Sequence, residues 1–179
     1  MRLVAYQSPN GPVMGRVDGD SVARLCDLDV FYGDPGTFLN AQRLAETEQP
    51  LAEVVQVPPV PKTSQILCVG LNYADHITET GKDRPEAPNI FARWYTTLAC
   101  QDAEVPVPSG EPGLDWEGEL GVIIGQELVD VSEDEAMAGV LGYTCFNDIS
   151  ARTYQHRTSQ WALGKNARNS GPIGPAVVT

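Results

Sequence analysis

The residues best suited to chemistry lie in the run Asp115-Trp116-Glu117-Gly118-Glu119-Leu120-Gly121-Val122-Ile123-Ile124. Side chains alternate across a strand, so Glu117, Glu119 and Ile123 share one face and Trp116, Leu120, Val122 and Ile124 the other. The apolar face gives the strand a reason to be buried. The acidic face sets two carboxylates ~7 Å apart, which is unfavourable unless positive charge sits between them. A bound divalent cation is one solution. A solvated outer face is the other, and the E-x-E spacing alone favours it. Asp148 follows the apolar run Tyr143-Thr144-Cys145-Phe146 closely and can add a third carboxylate, or serve as a turn residue or helix cap. A carboxylate set without histidine or thiolate selects a hard ion, Mg²⁺, Mn²⁺ or Ca²⁺, over zinc.

His76 and Glu79 lie three apart, side by side if their segment is helical. A carboxylate bonded to an imidazole raises its basicity and fixes its tautomer, which suits taking a proton from water. An exposed helix pair of no special role is an equal alternative. His156 sits in the polar run Gln155-His156-Arg157-Thr158 and reads as a surface residue. Cys26, Cys68, Cys100 and Cys145 are scattered, with no CxxC spacing. That argues against a zinc or redox pair and for buried free thiols at three or more of the positions.

The elements that must hold these side chains read as mostly strands. Arg2–Tyr6, Met14–Val17 and Ser21–Leu25 have strand texture, with a turn at Pro9–Pro12 and a hairpin signal at Asp18-Gly19. Thr37 to Glu53 leans helical, with Phe38, Leu39, Ala41, Leu44 and Ala45 on one face. Pro58-Pro59-Val60-Pro61 is a stiff extended stretch, and a boundary is placed there between a small N-terminal unit (1–60) and a larger one (61–179). Beyond it, Gln65–Gly70 and Asn89–Trp94 read as strands and Asn72–Thr80 as a helix closed by Gly81. Leu114–Gly125 reads as a long strand. Ser132-Glu133-Asp134-Glu135 has the capping-box form, opening a helix through Ala136, Met137, Val140 and Leu141 that Gly142 stops. Tyr143–Phe146 is a strand, turned at Asn147-Asp148. The fold class expected is α+β, mostly β.

Composition narrows the functions. The 179 residues carry 12 Lys+Arg against 24 Asp+Glu, a formal charge of −12. That surplus argues against nucleic-acid or anionic-membrane partners, which need a basic surface. Hydrophobic residues at 42% and charged residues at 20% mark a globular chain. No apolar run approaches ~18 residues, and the first residues lack the apolar core of a signal peptide. A cytoplasmic setting is expected.

Several segments, taken in order, resemble the fumarylacetoacetate hydrolase family. They are Val69-Gly70-Leu71-Asn72-Tyr73-Ala74-Asp75-His76, Asp115–Leu120, Gly142-Tyr143-Thr144, Asn147-Asp148-Ile149-Ser150-Ala151-Arg152, Gln160-Trp161, Gly164-Lys165 and Gly171-Pro172-Ile173-Gly174-Pro175. The likeness covers roughly residues 60–179. It implies a rolled mixed β-sheet core behind a small N-terminal β-rich domain, and homodimers. It implies Glu117, Glu119 and Asp148 as ligands of Mg²⁺ or Mn²⁺, with Ca²⁺ in some members, and His76 with Glu79 as the dyad that activates water. Lys165 matches a catalytic position; Arg152 and Gln155 match positions that face substrate. The reaction implied is metal-dependent hydrolysis of a carbon–carbon bond in a 2-oxo acid or 1,3-diketone of acylpyruvate or fumarylacetoacetate type. The enolate chemistry serves isomerisation or decarboxylation of 2-oxo or 2-hydroxy-diene dioates equally, as in aromatic-compound or sugar-acid catabolism.

Two local departures stand out. Arg93 occupies a position where many members have lysine, and Asn166-Ala167-Arg168-Asn169 replaces Ser-Phe-Asp-Thr after Gly164-Lys165. The family also continues past the equivalent of Thr179 through a segment with a Gly-Thr-Pro turn, so the chain reads as a truncated copy. A catalytically inactive fragment, or a structural cation site in a binding module, are the competing expectations.

Overall fold

The computed structural model describes residues 1–40, 48–81 and 83–179. An antiparallel meander opens the chain: β1 (Arg2–Ser8), β2 (Gly11–Asp18) and β3 (Ser21–Asp27). Gly19 takes φ +56° in the turn between β2 and β3, a backbone geometry suited to glycine, as the Asp18-Gly19 signal requires. Two short helices follow, α1 (Leu28–Gly33) and α2 (Pro35–Leu39), then β4 (Glu48–Pro50) and β5 (Gln56–Val57). The single helix expected over Thr37–Glu53 is therefore not formed. Asp34 caps α2 through Thr37, Pro35 opens it, and 48–50 pairs with β3. Ala41, Leu44 and Ala45 of that expectation lie outside the described residues.

The rest of the chain runs β6 (Ile66–Gly70), α3 (Ala74–Thr80), β7 (Asn89–Arg93), β8 (Leu98–Ala99) and β9 (Gly118–Ile124). It then continues α4 (Glu133–Ala138), β10 (Val140–Asn147), α5 (Arg152–Gln155), α6 (Ala162–Lys165) and β11 (Gly171–Val178). Among the described residues nine strands join one sheet along the path β4-β3-β2-β1-β11-β10-β9, with β5 on β1 and β8 on β11; β6 and β7 form a separate ribbon. β1 pairs with both β2 and β11, so this sheet is continuous across residue 60. Alternate residues of β1 feed two cores. Leu3 and Ala5 join Met14, Phe31, Val60, Leu98, Ile123 and Val177, while Val4 and Tyr6 join Val13, Val17 and Val22. No helix among the described residues is long and apolar enough to cross a membrane.

Two local expectations are corrected. The capping box at Ser132 forms as read, but α4 stops at Ala138 with Gly139 as its cap, because Val140 and Leu141 are drawn into β10, where Val140 lies opposite Ile124. The faces of β9 are also reversed. Ile123 is buried and Glu117 and Glu119 half-buried, whereas Trp116 (76% exposed), Leu120 (62%), Val122 and Ile124 face outward. The acidic face turns inward because α5, α6 and β7 bring cations to it. Among the described residues no second layer covers the apolar one.

Candidate active site

Antiparallel register builds the site. Gly118 lies opposite Asn147 and Glu119 opposite Phe146, so the next pair out is Glu117 facing Asp148. The Asp148 amide donates to the Glu117 carbonyl at 2.8 Å, and Asp115 and Ser150 exchange backbone bonds beyond. Directly opposed residues on one face stand ~4.5–5.5 Å apart, which brings Asp148 to the Glu117–Glu119 face. Asp148 thus extends the β10 strand path rather than turning the chain.

Two one-turn helices deliver the cations. Gly164 makes this possible: a Cβ there would fall 2.5 Å from the Gln155 backbone nitrogen and Cβ, so only a bare backbone lets α6 close on α5. The Ala151 amide donates to the Gly164 carbonyl at 2.8 Å. Glu111, itself buried, anchors α5 by accepting from the Thr153 amide and hydroxyl at 3.1 Å each. Lys165, 2% exposed, then lies with Nζ 2.5 Å from Glu117 Oε2 and 2.6 Å from Asp148 Oδ2, over the Phe91 ring. Arg152 donates from Nε and Nη2 to Asp115 Oδ2, from Nη2 to Glu117 Oε1, and from Nη1 to Gln155 Oε1 at 2.7 Å. Arg93 holds Asp148 from the other side.

Glu119 differs from its neighbours. Burial holds its carboxyl above the ordinary value, the charges of Glu117 and Asp148 add to the rise, and the Tyr73 hydroxyl and Lys165 oppose it. Tyr73 is the residue before α3, so its hydroxyl, donating to Glu119, ties the start of that helix to the carboxylates. His76 and Glu79 lie on α3 but both are exposed, and among the described residues no hydrogen bond or ion pair joins them to each other or to the cluster. The spacing-based pairing of the two is not formed in this conformation.

The sequence-derived residues thus divide. Glu117, Glu119, Asp148, Lys165, Arg152 and Gln155 come together; His76 and Glu79 stand apart. Asp115, Tyr73, Arg93 and Glu111 were missed as site residues. Asp115 was legible as one more step of the D-x-E-x-E alternation, and Arg93 as a charge closing the apolar run Ile90-Phe91-Ala92.

Among the described residues no three His, Cys, Asp or Glu side chains are arranged to hold an ion as they stand; Glu117 and Asp148 close on Lys165 instead. The donor set nonetheless suits a hard divalent ion. It is all oxygen, its carboxylates outnumber the three cations that touch them, and an ammonium already lies between two of them.

A mostly-β fold with inward-facing opposed carboxylates and a buried lysine defines a class of acidic, cation-demanding site. Comparison places it: the chain matches the family model for the fumarylacetoacetate (FAA) hydrolase C-terminal domain over residues 65–179, and it belongs to that family. It is 34% identical to the mitochondrial oxaloacetate tautomerase of Homo sapiens, covering 100% of this chain and 63% of the relative. The crystal structure of 2-hydroxyhepta-2,4-diene-1,7-dioate isomerase from Mycobacterium marinum is similar at 28% identity and TM-score 0.80, covering 100% and 66%. Maleylpyruvate hydrolase from Sphingobium, solved with manganese(II) and pyruvate, is similar at 26% identity and TM-score 0.73, covering 100% and 67%. The chain spans 63–66% of the length of the curated relatives it matches.

Proposed function

We propose that this chain carries the catalytic site of a divalent-metal-dependent hydrolase that cleaves a carbon–carbon bond in a 2-oxo acid of acylpyruvate type. The observation that carries the reading is Asp148 set directly across from Glu117, both gripping the Lys165 ammonium beside Glu119. Glu117, Glu119 and Asp148 would hold Mg²⁺ or Mn²⁺, with Ca²⁺ a further candidate, once Lys165 gives up at least one carboxylate. Such an ion supplies Lewis-acid stabilisation of enolate charge.

The chain's own residues do the rest. Arg152 and Gln155, held together by their 2.7 Å bond, orient the substrate carboxylate. His76 takes a proton from water onto an imidazole nitrogen as the water oxygen bonds to the distal carbonyl carbon, with Glu79 steadying the imidazolium. The carbon–carbon bond then breaks, its electron pair leaves as the enolate of the 2-oxo fragment, and the enolate carbon takes up the proton that His76 removed from water, restoring the neutral imidazole. Lys165 stabilises the negative oxygen that develops. Hydrolysis therefore requires α3 to bring His76 to the substrate.

A second reading, enol–keto tautomerisation or isomerisation, gains support from the separation of His76 and Glu79. Shifting a proton beside a carbonyl needs the carboxylates, Lys165 and Arg152, which already touch. Two relatives are a tautomerase and an isomerase by name. The test is steady-state assay of the metal-free chain with Mg²⁺ or Mn²⁺ restored, on acylpyruvates for pyruvate release and on enol-oxaloacetate for ketonisation. Metal-dependent pyruvate release lost in Glu119→Gln and in His76→Asn supports the hydrolase. Ketonisation that survives His76→Asn, without pyruvate release, supports the tautomerase. Metal uptake with no turnover on either substrate reduces the chain to a cation-binding fragment. A cytoplasmic homodimer completes the proposal, read by whether sedimentation gives twice the mass of one 19.3 kDa chain.

A further inference from the structure

Arg93, the last residue of β7, has no part in the steps above, yet its side chain is completely buried and all three of its nitrogens are engaged. Nε donates to Asp148 Oδ1, Nη1 to the Ser170 hydroxyl at 3.0 Å and Nη2 to the Ile149 carbonyl at 2.9 Å. The guanidinium also lies over the Phe146 ring, 5.6 Å from its centre. Ser170 passes the constraint on, donating to the Ala167 carbonyl at 2.7 Å, while the Ile149 amide donates to the Ser170 carbonyl at 3.0 Å. The fork is therefore fixed by the Ile149 carbonyl next to Asp148 and by the Ser170 hydroxyl, and it cannot swing without breaking buried hydrogen bonds.

The consequence falls on Asp148, itself 4% exposed. With Oδ1 taken by Arg93, the carboxylate is turned so that Oδ2 points to Lys165, and through it toward Glu117. Arg93 also links the β6–β7 ribbon to the end of β10, since these belong to different sheets.

We propose that Arg93 is a positioning residue of the cation site: it presets the orientation of Asp148 so that a single oxygen is offered to an ion shared with Glu117. The inference rests on the cation reading of the preceding section. Outer partners of metal-binding carboxylates typically alter metal affinity by about 10–100-fold when removed. The test is titration of the metal-free full chain with Mn²⁺, following the electron-paramagnetic signal of the free ion, for wild type, Arg93→Met, Arg93→Lys and Ser170→Ala. Melting of each metal-free variant is recorded in parallel. Arg93→Met should weaken Mn²⁺ binding by about 10-fold or more. Arg93→Lys restores the charge without the fork and should recover only part of the affinity, and Ser170→Ala should weaken binding less than either. A purely structural role would lower melting temperatures and leave the affinity of the folded protein in place. Arg93→Met binding Mn²⁺ within about twofold of wild type overturns the proposal. If that variant does not fold, the same result with Arg93→Lys does so. A wild-type chain that takes up no Mn²⁺ defeats the cation reading itself, and the role of Arg93 with it.

Discussion

At the scale of single residues, the site is an exercise in compensating charge. Lys165 is nearly inaccessible, and an ammonium in that position persists only because two carboxylates meet it within hydrogen-bond distance. Removing one partner of such a buried pair typically costs about 3–5 kcal/mol, mostly through the charge left behind. The cysteines offer a separate check on residue environments. Burial pushes the thiols of Cys26 and Cys100 up to about 11, and that of Cys68 up to about 12, where Asp148 and Glu119 add to the rise. Cys145 is exposed. Thiolate is the reactive form, and a raised thiol is largely protonated below its titration point, so at pH 8 the first three should react slowly with iodoacetamide. Peptide mapping should find Cys145 labelled first; prior labelling of Cys68 would contradict the burial described. The E-x-E spacing of Glu117 and Glu119 showed two carboxylates on one face but by itself favoured solvent; the cations in fact join Glu117 to Asp148 and Asp115. Which cations would meet Glu117 was not legible, since Lys165 and Arg152 stand 48 and 35 positions from it. Such meetings follow from strand register, which local pattern does not encode.

At the scale of elements, precision comes from very short helices. α5 and α6 are one turn each, too short to be stable alone, and they are held by Glu111 on Thr153 and by the contact at Gly164. Gly164→Ala should push Gln155 away, costing about 1–3 kcal/mol from overpacking. On the proposed reading, the shift would also loosen the Arg152–Gln155 bond and raise KM more than a change on the outer surface would. Denaturant unfolding checks the first effect, and an unchanged midpoint would contradict it. Elements with strong local signals were readable: the Ser132 capping box, Gly81 in the left-handed region at φ +64°, and the β6 and β7 strands. Where local and long-range preferences competed, the long-range one prevailed. Val140 and Leu141 have the spacing of a continuing helix, yet both join β10, where Val140 pairs with Ile124 and Leu141 sits at the register shift before Gly142. Residues 48–50 lie within the run Thr37–Glu53 expected to lean helical, yet they pair with β3.

At the scale of the whole molecule, one side of the β9–β10 region is apolar and open. Leu120 lies opposite Cys145 and Val122 opposite Tyr143, and all four are exposed. Alternation correctly separated the two faces of β9, but which face turns inward depends on where α5, α6 and β7 lie, and single-strand pattern carries no such information. The mostly-β class was legible from the density of strand signals, while the joining of the opening meander to the last strand was not. That junction joins residues up to 178 positions apart: Arg2 pairs with Val178, Leu3 with Val177, and Met1 and Thr179 exchange hydrogen bonds. Arg2 and Leu3 of the central strand can therefore gain their β11 partners only after Val177 and Val178 have been made, whereas Ala5 and Tyr6 find Val57 and Gln56 on the same margin far earlier. Closing so wide a loop is entropically expensive early in collapse, so refolding from denaturant should take milliseconds to seconds or longer, and stopped-flow fluorescence that finished in microseconds would refute it. Until that closure, a nascent chain would carry the start of β1, ahead of its β5 contact, with one margin unpaired and open to wrong neighbours.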